Sequence, residues 1–515
     1  MNLISKDIMF SALLGTTGLV YAQDSYDAHN FANSDLNGTS RFVAMGGALG
    51  ALGGDISVMS TNPAGTGLYR RSDASVTFSG VFAGEGARGH DGSRMSLDQG
   101  GALIAFDMDN PRGQGLQYVN FGVNYQKKRN YLSNLSTGVQ HLDNYFSQTY
   151  QIRDMANAAM YDAVYDGENY DRYFGIMTNL ATYDDNTVLR DMVNGNGDPV
   201  YDELDNQLYD GLPASKAVFE RATYGANVQA DVNISFNMSD QLFYGLSVGV
   251  YNIEYDRESF YEELRQDGTS YNWDSWYKTS GDGFDLKFGF ICRPIEDSPF
   301  RFGAYIHTPT WYRMTDANGA NLYYEKKRVG YLENAEYDYN YRTPWKFGVS
   351  LGHTIGTCFA IGAEYEYQDF STAKYSEIEG NATEYFRYAN EVTKETLRGQ
   401  HTLKVGAEFK PIDAFSIRLG YNFVSSPFKK GAFRTLMYDD PYTETDYTNW
   451  GAINRFTAGV GYRFKGGYFD VTYQYQAQKG DFYAFGKASD DEFDFKPTKI
   501  DANRSQLMAT LGFRF

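Results

Sequence analysis

His29, His90, His141, His307, His353 and His401, with Cys292 and Cys358, are the residues of this 515-residue chain that could hold a metal or attack a substrate. None has the spacing such chemistry needs. The histidines form no HExxH and no close pair, and the cysteines form no CxxC. The run GALGALGG at 47–54 neither follows a strand nor fits GxGxxG, so it is no dinucleotide loop. No nucleophile elbow or kinase signature occurs. The residues thus point to no enzyme, no metal site and no cofactor. What remains are cations on otherwise apolar, alternating segments: Lys404, Arg418, Arg455 and Arg463. The planar fork of arginine suits a ligand carboxylate, which makes Arg418 and Arg455 candidate ligand contacts. The same cations could instead pair with acids on neighbouring segments, such as Glu408, Glu364 and Glu366, or with the amino-terminal segment.

The elements that position these cations have a period of two. SQLMATLGFRF at the end of the chain sets Leu507, Ala509, Leu511, Phe513 and Phe515 on one face and Met508, Thr510, Gly512 and Arg514 on the other. FSIRLGYNF, RFTAGVGYRF and HTLKVGAEF repeat the pattern, as do ASVTFSGVF, GALIAFDM, YVNFGVNYQ, QADVNISF, LFYGLSVGVY, FDLKFGFIC, FRFGAYIH, PWKFGVSLG, FAIGAEYEY and FDVTYQYQ. These are fourteen half-apolar strands. A water-soluble sandwich would bury the apolar face against a second sheet, whereas a membrane barrel shows it to lipid. The connections decide between them. Short ones (107–115, 237–240, 294–299, 353–357, 411–414, 465–467) alternate with long ones (82–99, 127–221, 257–283, 314–337, 371–400, 425–452, 477–503). Short turns on one side and long loops on the other are the outer-membrane pattern. The fold class is therefore all-β: a transmembrane antiparallel β-barrel of about 14 strands over residues 73–515.

Composition agrees. Aromatics make up 17% of the chain, with 44 Tyr and 36 Phe beside 53 Gly, as interfacial girdles and a curved wall require. A net charge of −19 excludes the basic footprint of nucleic-acid binding. Residues 1–22 read as a secretory signal peptide: Lys6, an apolar run from Phe10 to Val20, and a small-residue exit at Ala22. No later stretch has 18 consecutive apolar residues, so no helix of the chain is expected to cross a membrane.

Residues 23–72 cannot be strand. Gly46, Gly47, Gly50, Gly53 and Gly54 allow close backbone packing, and Asn62-Pro63 fixes a kink. A barrel of fourteen strands encloses more space than its own side chains fill. The segment is read as a plug in the lumen, with Arg41 tying it to the wall. An even strand count puts both chain ends, and the plug, on the periplasmic side.

SRFVAMGGALGALGGDISVMSTNPAGTGLYRRSDASVTFS, residues 40–79, resembles the hatch of the FadL-type outer-membrane transporters of hydrophobic compounds. Asn62, Pro63 and Ala64, followed by Gly65, match that family's Asn-Pro-Ala hatch motif. Beyond this segment the resemblance rests on topology, on TPWKFGVSLG in the eighth strand and on the terminal Phe. It implies a fourteen-stranded barrel in a Gram-negative outer membrane, in contact with lipid and lipopolysaccharide. It further implies passive uptake of hydrophobic small molecules such as long-chain fatty acids, past a hatch and out through a gap beside a kinked third strand. Gly122, in the middle of YVNFGVNYQ, is the candidate for that lateral gate; ordinary wall curvature is the other reading of a mid-strand glycine. Some FadL-like barrels serve secretion, so a periplasmic or surface protein partner is the alternative.

The 127–221 connection is expected to be an extracellular, partly helical loop. Ile152, Met155, Ala159 and Met160 recur at roughly helical spacing, and Phe174, Ile176, Met177 and Leu180 follow. Met and aromatic side chains adapt to varied apolar ligands. Met155, Met160, Phe174, Ile176 and Met177 are therefore candidate ligand contacts; packing of the loop on itself is the competing reading.

Overall fold

The computed structural model describes residues 24–110, 114–139, 142, 189–202, 205, 207–211, 214–295, 298–333, 336–381, 383–434, 446–484 and 497–515. The segment read as a signal peptide lies outside them.

Fourteen antiparallel strands close into a barrel. In chain order they are β1 (Asp73–Phe82), β2 (Ser93–Asp107), β3 (Leu116–Asn130, continued by Ser133–Gly138), β4 (Ala214–Met238), β5 (Leu242–Arg265) and β6 (Ser270–Cys292). Then come β7 (Arg301–His307 and Trp311–Tyr324), β8 (Tyr337–Arg342 and Lys346–Ile355), β9 (Phe359–Asp369, continued by Lys374–Ser376) and β10 (Gly399–Ile412). The last four are β11 (Phe415–Val424), β12 (Tyr447–Phe464), β13 (Gly467–Tyr483) and β14 (Thr498–Arg514). Each pairs with its neighbours in sequence, and β14 returns to β1 with Asp73 opposite Arg514 and Phe82 opposite Ser505. Closure joins the first strand to the last, so the barrel has no free edge strand.

The alternation read from sequence sets the two faces of the wall. Phe121, Val123, Val232, Leu246, Phe284, Leu419, Phe456 and Leu507 point outward and are exposed. Asn120, Asn124, Asp231, Asn233, Ser247, Arg418, Arg455 and Thr510 point inward and are buried. A belt of exposed large apolar residues around a closed, polar-filled wall is the surface a lipid bilayer requires.

Two connections differ from expectation. The residues at 257–283 are not a loop: β5 and β6 run on past the ten or so residues needed to span a bilayer and meet at a turn around Gly268, with Leu264 opposite Ser270. The first part of 314–337 likewise continues β7 against β6 and turns back through Lys327–Glu333. Alternation of apolar and polar residues weakens here because this part of the wall meets water. The extension is filled from inside by Phe219, Tyr261, Tyr271, Trp273 and Leu322.

β7 and β8 break at one level, at Thr308-Pro309-Thr310 and Thr343-Pro344-Trp345. Neither proline has an N–H for the ladder, and threonine hydroxyls take over. Leu286 N donates to Thr308 Oγ1 (3.0 Å) and Thr310 N to Thr343 Oγ1 (2.7 Å).

Residues 24–69 lie inside the barrel. Helix α1 (Ser25–Ala32) is capped by Asp24, whose carboxylate accepts from the N–H groups of Tyr26 and Asp27. A linker descends to α2 (Ser40–Ala44), capped by Thr39. Two 3-10 helices follow, Ile56–Ser60 and Pro63–Leu68. Phe515 pairs with Ser72 at the short-turn end. Asp24 lies at the other end, where Arg434 of the connection after β11 reaches its carboxylate at 2.6 Å. Asp24 and Phe515 therefore lie toward opposite ends of the barrel, where the sequence reading put both chain ends on one side, because α1 packs among Tyr341, Tyr375 and Phe386.

Candidate functional site

The plug fits the wall through a row of glycines. At the plug's level, the inward position of eight successive strands is glycine: Gly245 on β5, Gly289 on β6, Gly303 on β7, Gly352 on β8, Gly362 on β9, Gly406 on β10, Gly420 on β11 and Gly459 on β12. A Cβ would stand 2.2 Å from the Pro63 carbonyl carbon at Gly245, 2.2 Å from Ala48 O at Gly362 and 2.2 Å from Met45 O at Gly406. It would stand 2.1 Å from Asn62 Oδ1 at Gly289 and 2.2 Å from Gly46 N at Gly420. Plug backbone thus lies directly against wall backbone over half the circumference, and Ala44 Cβ meets the wall at Gly459.

The Asn-Pro-Ala motif makes the tightest part of this fit. Asn62 caps the 3-10 helix Pro63–Leu68 with its side-chain oxygen, which accepts from Ala64 N at 3.2 Å. Its Nδ2 donates to Gly50 O (2.7 Å) within the plug and to Phe290 O (3.3 Å) on β6. Ala64 is fully buried against Phe243 and Ile291. Gly65 O accepts from Gly54 N at 3.0 Å. Arg41 bonds Gly54 O (2.8 Å) within the plug and Glu408 (3.2 Å) on β10. Asn62, Pro63, Ala64 and Arg41 join plug to wall, and Gly65 ties the plug to itself.

Gly122 sits within intact ladders, opposite Leu103 on β2 and Asn233 on β4. Its lumenal face receives Met59: a Cβ there would stand 2.0 Å from Met59 Cε. The β2–β3 ladder ends higher, at Gln99 opposite Gln126. Above that point the plug linker takes the place of β2. Asp35 N donates to Lys128 O (2.9 Å), Asn37 Nδ2 to Lys127 O (3.1 Å), and Asn130 N to Asp35 Oδ2 (3.0 Å). The seam in the wall is thus closed by residues 35–37. Burial would raise the Asp35 carboxyl, but Arg504, Arg455 and Arg129 hold it below the usual carboxylate range.

A cavity of about 110 Å³ lies above the plug, between the linker, β3–β12 and the Thr-Pro breaks of β7 and β8. Its lining is polar and rich in cations. Lys287 is held by Asp231 (2.8 Å) and Asp285 (2.7 Å), and Lys404 by Glu364 and Glu366 (both 2.8 Å). Two further lysines have no ion-pair partner among the described residues. Lys128 lies over the Tyr251 ring at 4.6 Å, and Lys346 has no hydrogen bond or ion pair among the described residues. Arg455 lines the cavity and bonds Asn422 (3.0 Å) and Gln476 (2.8 Å). Arg418 lies lower, outside the cavity, between Glu408 (2.6 Å) and Asp470 (2.5 Å). Met155, Met160, Phe174, Ile176 and Met177 lie outside the described residues.

Sequence reasoning passed over Lys128, Lys346, the linker and the glycine row. The row did leave a signal: YGLSVG, KFGF, FRFGAY, SLGHT, AIGAE, VGAE, RLGYN and AGVGY each carry a glycine on the polar face. A second cavity, of about 570 Å³, lies around α1 beneath the long connections. His29 and Tyr131 line it, and His29 Nε2 is buried there with no hydrogen-bond partner among the described residues. Burial and the nearby Arg129 bring the His29 pKa down to about 3.

Comparison with solved structures places this architecture. The toluene transporter TodX of P. putida matches over 93% of this chain and 99% of its own, with a TM-score of 0.50 at 11% identity. The fold is that of the FadL-type transporters. A Pseudomonas aeruginosa FadL homologue covers 94% of this chain and 100% of its own (TM-score 0.48, 12% identity). The Ralstonia pickettii toluene transporter TbuX covers 93% and 99% (TM-score 0.47, 13% identity). At this identity the likeness to the FadL-type barrels is one of fold. No family model and no curated protein matches the sequence.

Proposed function

We propose that this protein is a passive outer-membrane channel for hydrophobic small molecules that carry one acidic group, long-chain fatty acids among them. The observation that carries this reading is the cavity above the plug. It places Lys128 and Lys346, neither with an ion-pair partner among the described residues, beside Lys287 and Lys404, which carboxylates hold. Arrangement of a cation without a partner in a low-dielectric site favours an incoming anion. TodX and TbuX, which share the fold, are described as toluene transporters; an uncharged hydrocarbon would leave these two lysines unmatched. The plug body, welded through its glycine contacts, serves as the floor. The linker 33–37 and α1, held by side-chain bonds and the one backbone bond from Asp35 N to Lys128 O, serve as the gate at the β2–β3 seam. The apolar tail then leaves toward lipid without full exposure to water.

Outer-membrane vesicles with and without the protein test this reading. Labelled oleate should enter in a protein-dependent way, and the alcohol of the same chain length should enter more slowly. Lys128→Met with Lys346→Met should abolish that preference. Equal entry of acid and alcohol in the unaltered protein contradicts the acidic-group reading. No protein-dependent entry of either, with the barrel folded, contradicts transport of such molecules.

A further inference from the structure

Beneath the plug, at the short-turn end, lies a third cavity of about 460 Å³. The end of the plug (Leu68 to Arg71), the turn between β12 and β13, and Arg514 of β14 build it, with Gly54 facing it from the plug. Its lining holds four arginines, Arg70, Arg71, Arg463 and Arg514, and no aspartate or glutamate. This is an unusual balance in a chain of net charge −19.

The pairing of the four is uneven. Arg514 bonds Asp73 at 2.8 Å and stacks over the Tyr468 ring at 5.2 Å. Arg70 reaches Asp240 at 2.8 Å. Arg71 and Arg463 have no hydrogen-bonded or ion-pair partner for their side chains among the described residues, and Arg463 faces the lumen by the alternation of β12. The remaining surface is apolar and aromatic: Leu68, Tyr69, Phe464 and Tyr468. A walled concavity of one charge sign concentrates the opposite ion. Guanidinium forks recognise carboxylates in two parallel bonds, and the aromatic walls suit an apolar stem.

We infer that this vestibule is a second binding site, for an organic monocarboxylate, formed jointly by the end of the plug and the last strands. It is separate from the cavity above the plug and does not depend on the reading of that cavity. The same carboxylate could reach it through the lumen or from the open short-turn side.

A local reporter tests this. Lys465→Cys, carrying a fluorine label in a Cys292→Ser, Cys358→Ser background, sits on the turn beside the vestibule. Octanoate should shift the fluorine resonance in a saturable way and octanol should not. Arg71→Gln with Arg463→Gln should weaken the octanoate response at least tenfold, while Lys128→Met with Lys346→Met should leave it intact. Adding octanoate to one face of protein oriented in vesicles distinguishes the two routes: a prompt shift from the short-turn face only means entry from that side. No saturable shift, an equal shift with octanol, or an unchanged response in the double arginine variant would overturn the assignment.

Discussion

Gly245→Ala tests the claim that the plug is seated by glycine. The new Cβ would stand 2.2 Å from the Pro63 carbonyl carbon, 2.3 Å from its oxygen and 2.4 Å from Ala64 N. All three are backbone atoms, so no rotamer change relieves the contact, and the Pro63–Leu68 helix must move off the wall. Overpacking of this kind costs about 1–3 kcal/mol. The shift also weakens the bonds from Thr66 Oγ1 to Asn233 (2.7 Å) and Ser235 (2.8 Å) and from Asn62 to Phe290, each worth about 1 kcal/mol. A total of roughly 4–6 kcal/mol falls on plug attachment, or about 10³- to 10⁴-fold in the population with this helix detached. The outward face of β5 and its ladders with β4 and β6 are untouched, so the barrel should still fold. Hydrogen exchange of a peptide covering 62–69 should accelerate, and conductance across a planar bilayer should rise. Gly100→Ala is the control, because nothing lies within 4 Å of its Cβ position. A folded Gly245→Ala barrel with unchanged exchange and conductance would refute the reasoning.

Three further outcomes are expected. Asp35→Ala removes the acceptor for Asn130 N and the partner of Arg504 (3.1 Å); it should speed amide exchange at 127–130 and leave exchange at 62–69 unchanged. Burial and Arg129 favour neutral His29 in docked α1, taking its pKa from about 6.5 free to about 3 in place. Docking strength is full above pH 6.5 and is lost as pH falls toward 3, by about 2 kcal/mol between pH 7 and pH 5. His29→Phe, among Phe370 and Phe428, removes this loss. Asp27, whose carboxyl burial and Asp24 push up, titrates in both proteins, so the difference in α1 exchange between the two at pH 5 isolates His29. Arg418→Met leaves Glu408 and Asp470 buried without their shared partner and should cost about 3–5 kcal/mol, read as a lower unfolding midpoint, with oleate selectivity unaltered.

The wall was legible because its physics is local. A residue facing lipid must be apolar and its neighbour need not be, so all fourteen strands announced themselves by alternation, and the connection lengths gave their up-and-down order. The two misread connections, 257–283 and 314–337, lie where β5, β6 and β7 leave the bilayer and that constraint ends. The plug was visible as a glycine-dense segment that could not be strand, and Asn62-Pro63-Ala64 lies at its tightest contact. What the sequence hid is relational. The glycine row is spread over eight strands, and only closure of the barrel gathers Gly245 and Gly459 onto one ring. Lys128 and Lys346 are far apart in the chain and look like ordinary polar-face residues until their neighbours prove to lack a spare carboxylate. Gly122 stood out as a mid-strand glycine, yet the ladder ends four residues on, at Gln126, because the linker 35–37 bonds the upper part of β3.

The central claim is that solute passes when the amino-terminal linker leaves the β2–β3 seam, with the plug body staying in place. Entry of labelled oleate into liposomes containing Asn37→Cys with Lys127→Cys, in the background lacking Cys292 and Cys358, tests it most directly. The account predicts protein-dependent entry when the introduced pair is reduced and a loss of that entry when the pair is oxidised. Equal entry in the oxidised and reduced states, with the disulfide verified, would contradict it.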